Sequence, residues 1–252
     1  MVRNRVSGLM SAGPPEKASL MSSPFASPVD TAAESQRSYL RQVFQWMFLA
    51  LALTTGVAVY LNATGDVAGY VEDHPNSVWV LFIAQLGLVL FLSFAISRIS
   101  AGVATALFGL YAGLTGLTFA VIFAVYTPGS VVGAFAGASG LFAGMAIWGY
   151  VTDKDLSGWG GILFGAVVGI IVASVAHAFI GGETLNLIIG WAGVIVFSAL
   201  TAYDMQKLKE IGARGFASGD EAHKLAIFGA LRLYLDFVNL VISLLRIFGA
   251  RR

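Results

Sequence analysis

The chain is a succession of apolar runs, each close to the roughly 20 residues a helix needs to cross a bilayer. Val43–Leu61 holds no charge, and Val78–Ser97 is interrupted only by Gln85. Ala101–Val125, Pro128–Val151, Trp159–Ile180 (with His177 inside it) and Thr184–Tyr203 follow. Trp46, Trp79, Trp148 and Trp159 sit near the run ends, where interfacial anchors belong, whereas Trp191 lies well inside the sixth. Composition agrees: 57% of side chains are apolar and 12% charged, against about a quarter charged in a soluble domain. The expected fold class is an all-α polytopic membrane protein.

A seventh run, Leu225–Gly249, contains Arg232, Asp236 and Arg246. Each charge at mid-helix costs about 2.5–3.5 kcal/mol on insertion, so this helix must be shielded by the others. Its 25 residues at 1.5 Å each reach about 37 Å, which favours a full span over a re-entrant element. Residues 1–38 are rich in Ser, Ala and Pro, without a signal-peptide pattern. The expected division is a disordered cytoplasmic tail over 1–38, a seven-helix domain over 39–249 and a C-terminal tail over 250–252.

Lys and Arg are distributed unevenly among the connections. The N-terminal segment, the second-to-third, fourth-to-fifth and sixth-to-seventh connections hold them, from Arg3 to Lys224. Residues 62–77, 126–127 and 181–183 hold none. The positive-inside rule then places the N-terminus in the cytoplasm. A full seventh span puts Arg251 and Arg252 on the outer side, against the rule.

Glycines recur at four-residue spacing: Gly109 and Gly113; Gly133 and Gly137; Gly140 and Gly144; Gly161, Gly165 and Gly169. Such pairs let helix backbones approach, so the expectation is that they pack the bundle.

The chemistry concentrates on the seventh run. Arg232, Asp236, Asn239, Ser243 and Arg246, spaced 4, 3, 4 and 3, fall within an arc of roughly 80° at about 100° per residue. A polar line on an apolar helix faces a cavity or polar partners, which makes Asn239 and Ser243 candidates to line a pathway. The plainer account is a structural seam with Arg232 and Asp236 paired at i and i+4. Asp204 closes the sixth run, where a carboxylate opposes the helix macrodipole; Lys207 or Lys209 would match it. If Asp204 and Asp236 meet, they can share one proton, giving a pH sensor and a site for a hard cation. Two Asp fall short of the six to eight oxygens calcium prefers, so any such binding is weak and transit-like.

Other classes fit poorly. There is no cysteine, the net charge of +1 offers nothing to nucleic acid, and His74, His177 and His223 lie in three different segments. Gly137-Ala138-Ser139-Gly140 has the form of an intramembrane serine protease motif, with His177 in the next run. In a chain with 30 glycines that match carries little weight, and no enzyme is expected.

Several stretches together resemble one family. They are Gly116-Leu117-Thr118-Phe119-Ala120-Val121-Ile122-Phe123-Ala124-Val125-Tyr126-Thr127, Lys154-Asp155-Leu156-Ser157-Gly158, Leu200-Thr201-Ala202-Tyr203-Asp204-Met205-Gln206-Lys207, and Leu233-Tyr234-Leu235-Asp236-Phe237-Val238-Asn239-Leu240 with Leu244-Leu245-Arg246-Ile247-Phe248-Gly249. In this order they resemble the bacterial form of the transmembrane Bax inhibitor motif (Bax inhibitor-1 like) family. The resemblance implies six transmembrane helices around a central seventh and a pH-sensitive calcium leak in the inner membrane. On it, Asp204 and Asp236 match the paired aspartates that act as pH sensor and gate, and Arg246 an arginine that stabilises the closed state. Two residues depart from the pattern: Gln85, where some relatives carry an acid, and Arg232, which adds a cation one turn from Asp236. The implied partners are the lipid bilayer, Ca²⁺ and H⁺, for a monomer without a cofactor. The alternatives are a non-conducting regulator that binds a membrane AAA protease through the N-terminal tail, and a proton-coupled small-solute transporter.

Overall fold

A computed structural model describes residues 28–96 and 98–251. Eight α-helices make up most of the described chain: α1 (Pro28–Thr64), α2 (Val67–Asp73), α3 (Asn76–Ala95), α4 (Ala101–Val125), α5 (Pro128–Val151), α6 (Gly160–Ile180), α7 (Glu183–Arg214) and α8 (Gly219–Phe248), with one 3-10 turn at Ser157–Trp159 before α6. All but the short α2 are long and apolar enough to span a membrane.

Local chemistry explains the boundaries. Ser100 accepts from Val103 N–H at the start of α4, and Thr127 does the same for Ser130 N–H at α5, with Pro128 in the first turn. Both are N-caps satisfying donors the helix leaves free. At α8, Ser218 accepts from Glu221 N–H, while the Glu221 carboxylate accepts from Ala217 N–H, a reciprocal arrangement close to a capping box. Between α7 and α8 the chain turns at Gly215, whose φ of 73° lies in the left-handed region that favours glycine.

The packing around the expected central helix is uneven, and α6 meets α8 at its end, where Arg246 donates to Ser174 Oγ. α8 packs directly on α1, α4, α5 and α7, while α3 lies against α4, and α6 against α7. Accordingly 67% of α8's apolar stretch is buried, against 6% for α3 and for α6. The two outer helices carry few polar side chains, such as Gln85 and Ser93 on α3 and Ser174 and His177 on α6, so most of their surface suits lipid.

Three expectations change. The helix that carries the first span begins at Pro28, ten residues before the expected boundary at 38. Gln36 within that stretch donates to Lys209 O at 2.9 Å, so 28–38 belongs to the bundle; residues 1–27 of the expected tail lie outside the described residues. The C-terminal residues are docked. Thr127 N–H donates to Ala250 O and Ala250 N–H to Ser130 Oγ, both at 2.9 Å, and Arg251 pairs with Tyr126 in an isolated antiparallel bridge. The seventh run is therefore one uninterrupted helix, ending at the turn between the third and fourth spans. The spaced glycines, finally, pack little. Nothing lies within 4 Å of a Cβ built at Gly109, Gly113, Gly133, Gly140, Gly144, Gly161, Gly165 or Gly169. The close approach falls at isolated glycines instead, notably Gly149, where a Cβ would lie 2.2 Å from Ala202 O.

Candidate functional site

Asp204 and Asp236 are brought together by the α7–α8 contact, the most extensive in the bundle. Each is only 4% exposed. Buried carboxylate oxygens normally find partners, yet among the described residues Asp204 Oδ1 and Asp236 Oδ2 have no hydrogen bond. The cation facing them is Arg232, whose Nη1 stands 3.4 Å from Asp204 Oδ1. The guanidinium also lies over the Phe228 ring, 5.6 Å from its centroid, and is about one-third exposed. Two carboxylates and one guanidinium leave a surplus of one negative charge when both acids are ionised. One proton removes it.

The site corrects two local readings. Asp204 does not end its helix: α7 continues to Arg214, so the macrodipole argument does not apply, and burial between helices is what isolates the acid. Lys207 and Lys209 do not match it, because Lys207 pairs with Glu210 at 3.0 Å and Lys209 donates to Tyr150 O at 2.8 Å. The i,i+4 pair between Arg232 and Asp236 is replaced by the interhelical pair with Asp204. With the base N-terminal to the acid, the i,i+4 order is the weaker one for a helical ion pair, and the acid across the interface takes the guanidinium.

The remaining stripe residues do not form one continuous polar path. Asn239 Nδ2 donates to Leu235 O and Ser243 Oγ to Asn239 O, both within α8. Ser243 is buried where α7 approaches at Gly193, whose Cβ would fall 2.2 Å from Ser243 Oγ. Arg246, 14 residues beyond Arg232 and so about 21 Å along the axis, belongs to the other end of the bundle. It donates to Asn186 Oδ1 at 3.3 Å and Ser174 Oγ at 3.4 Å, and has no acid within ion-pair distance among the described residues. Gln85 is not near it either, donating instead to Leu114 O and Thr118 Oγ1 on α4. Ser139 donates to Phe135 O on its own helix, so it makes no dyad with His177.

Two supports were not found from the sequence. Gln206, two residues from Asp204 and 7% exposed, accepts from Leu156 N–H at 2.9 Å and donates to Lys154 O at 2.8 Å. It thereby fastens the α5–α6 connection beside the dyad. Tyr234, fully buried on the opposite face of α8, hydrogen-bonds Thr54 at 2.6 Å, and Thr54 donates to Ala112 O at 2.9 Å. The available signal for Gln206 is its place inside the Leu200–Lys207 stretch, two residues after Asp204. Among the described residues no third carboxylate or imidazole gathers with the pair.

The family described as inhibitor of apoptosis-promoting Bax1 matches residues 36–252, which takes in α7, α8 and both acids. The chain belongs to the Bax inhibitor family of membrane proteins. This Bax inhibitor family chain is 45% identical to the inner membrane protein YbhL of Escherichia coli K12 over 217 residues, covering 86% of this chain and 93% of that protein. It is 43% identical over 215 residues to a protein of Deinococcus radiodurans, covering 85% and 91%. Over 229 residues it is 35% identical to a protein of Borreliella burgdorferi, covering 89% and 99%.

Proposed function

We propose that the protein is a pH-sensitive cation leak, with Ca²⁺ as the transported ion, gated at the Asp204–Asp236 pair. The observation that carries this reading is two buried carboxylates sharing a single, partly exposed cation. With both acids ionised, Asp204 holds Arg232 across the interface and ties α7 to α8. Protonation of the pair cancels its negative charge and removes the attraction on which the tie rests, so α8 is freed to move. A cation that reaches the ionised pair replaces the surplus proton. Two carboxylates offer at most four oxygens, fewer than calcium prefers, which suits passage better than retention.

The distribution of Lys and Arg supports an inner-membrane orientation with the N-terminus cytoplasmic. In that orientation the odd number of spans carries the C-terminus across, and no step of the activity calls for a catalytic group. Purified protein reconstituted in calcium-loaded vesicles tests the reading. Calcium efflux is expected to rise as pH falls, and the pH response to flatten in Asp204→Asn and Asp236→Asn. Efflux indifferent to pH, or unchanged in both variants, would overturn it.

A further inference from the structure

At the opposite end of α8 from Arg232, a cavity of about 250 Å³ is lined by Ile122, Tyr126, His177, Asn186, Ile242, Leu245, Arg246 and Arg251. Four helices meet there: α4, α6 and α8 end, and α7 begins. Arg246 and His177 occupy last-turn positions, where a cation complements the helix dipole. That accounts for one positive group per terminus. It does not account for the convergence of two guanidinium groups, an imidazole and an amide on one hollow.

The polar groups there are chiefly donors, and they are under-used. Arg246 has five N–H donors and spends two on neutral oxygens at 3.3 and 3.4 Å, long for a charged donor. His177 Nδ1 is buried without a partner. Arg251 is held in place through its backbone by Tyr126, and it lines the hollow. Among the described residues no carboxylate stands within ion-pair distance of either arginine; Glu183, one turn before Asn186, is exposed. Two cations facing one hollow repel unless an anion lies between them. At about 30 Å³ per water, the hollow is roomy enough for a tetrahedral oxyanion.

We infer that this cavity is an anion site, and that Arg246 and Arg251 clamp a phosphate group. The phosphate belongs either to an anionic lipid headgroup or to a free ion, and two arms distinguish them. In one, full-length protein in phosphatidylcholine nanodiscs is titrated with inorganic phosphate, with sulfate as a second oxyanion. In the other, the nanodiscs carry phosphatidylglycerol and no phosphate is added. The expected result is a rise in melting temperature in at least one arm, with apparent affinity falling about tenfold or more on loss of a guanidinium contact in Arg246→Gln. Arg251→Gln, an exposed position, gives the same comparison should Arg246→Gln fail to fold. A rise with phosphatidylglycerol alone assigns a lipid; a rise with phosphate assigns a soluble ion. No rise in either arm, or equal rises in the wild type and the variants, would overturn the site. Calcium efflux is not its readout, so its failure and that of the leak are separable.

Discussion

Arg232 and Asp204 face each other across the α7–α8 interface at 3.4 Å, while Asp236, on Arg232's own helix, has no ion pair among the described residues. One guanidinium thus serves two acids. It ties the helices through Asp204 and lessens the repulsion that Asp204 exerts on Asp236.

Removal of that cation should be felt in stability and in gating. Arg232→Gln leaves two carboxylates in a dry interface with no positive charge. Breaking a fully buried pair costs about 3–5 kcal/mol, but this guanidinium is one-third exposed, so about 1–3 kcal/mol is expected from thermal unfolding at neutral pH. Because protonation relieves the uncompensated charge, the loss should shrink as pH falls. On the proposed mechanism the tie between α7 and α8 is absent from the variant at every pH, so calcium efflux is expected already at neutral pH, with most of its pH response lost.

Gly149 and Gly144 make a sharp pair. An alanine Cβ at Gly149 meets Ala202 backbone, whereas at Gly144 it meets nothing within 4 Å. Gly149→Ala should force α5 from α7 and cost about 1–3 kcal/mol. Gly144→Ala should be neutral or stabilise by up to about 1 kcal/mol through helix propensity. Comparison of the two melting temperatures checks the assignment of close packing.

Much of the bundle was legible because hydropathy and capping mark the same places. The runs Ala101–Val125 and Pro128–Val151 coincide with α4 and α5, since Ser100 and Thr127 stop and restart the helix where the apolar run does. The sixth apolar run stops at Tyr203, short of the end of α7, because Lys207, Lys209, Glu210 and Arg214 have the composition of a loop. Lys207, Glu210 and Arg214 instead share one face of a continuing helix whose Met205, Leu208 and Gly212 are buried, with Glu210 pairing with Lys207 and Arg214 along it, while Lys209 reaches Tyr150 O on α5. Asp204 and Asp236 were found because acids are scarce in apolar helices. Arg232's partner was not, since sequence spacing reports neighbours on one helix and this contact crosses two. The glycine repeats misled for a related reason: spacing shows that a surface is smooth, not that another helix lies on it.

The connection beside the dyad carries its own pH dependence. Asp155 Oδ1 accepts from Ser157 N–H at 2.8 Å, and with the Ser157 hydroxyl this holds its carboxyl below the ordinary carboxylate range. A lowered folded value means the turn is supported fully above the unfolded pKa and loses that support as pH falls through the folded one. Protection of the Ser157 amide from hydrogen exchange is expected to be constant at neutral pH and to fall only in strong acid. Asp155→Asn should flatten that profile. Gln206→Ala removes the buried partner of Leu156 N–H and should loosen the same connection at every pH, at about 1–3 kcal/mol for the unsatisfied groups.

Truncation separates the leak from the tail-mediated alternative, and the structure dictates where to cut. Removal of residues 1–36 deletes the first two turns of α1 and takes away Gln36, which donates to Lys209 O and packs against Gly212. That variant is expected to lose stability, and any loss of function in it would be ambiguous. Removal of residues 1–27 stops before Pro28 and leaves all of α1. It should unfold at the wild-type temperature and retain pH-dependent calcium efflux. Wild-type efflux together with the loss of a protease interaction would assign the tail a separate role. Loss of efflux from a bundle of unchanged melting temperature would mean that the dyad alone does not gate the protein.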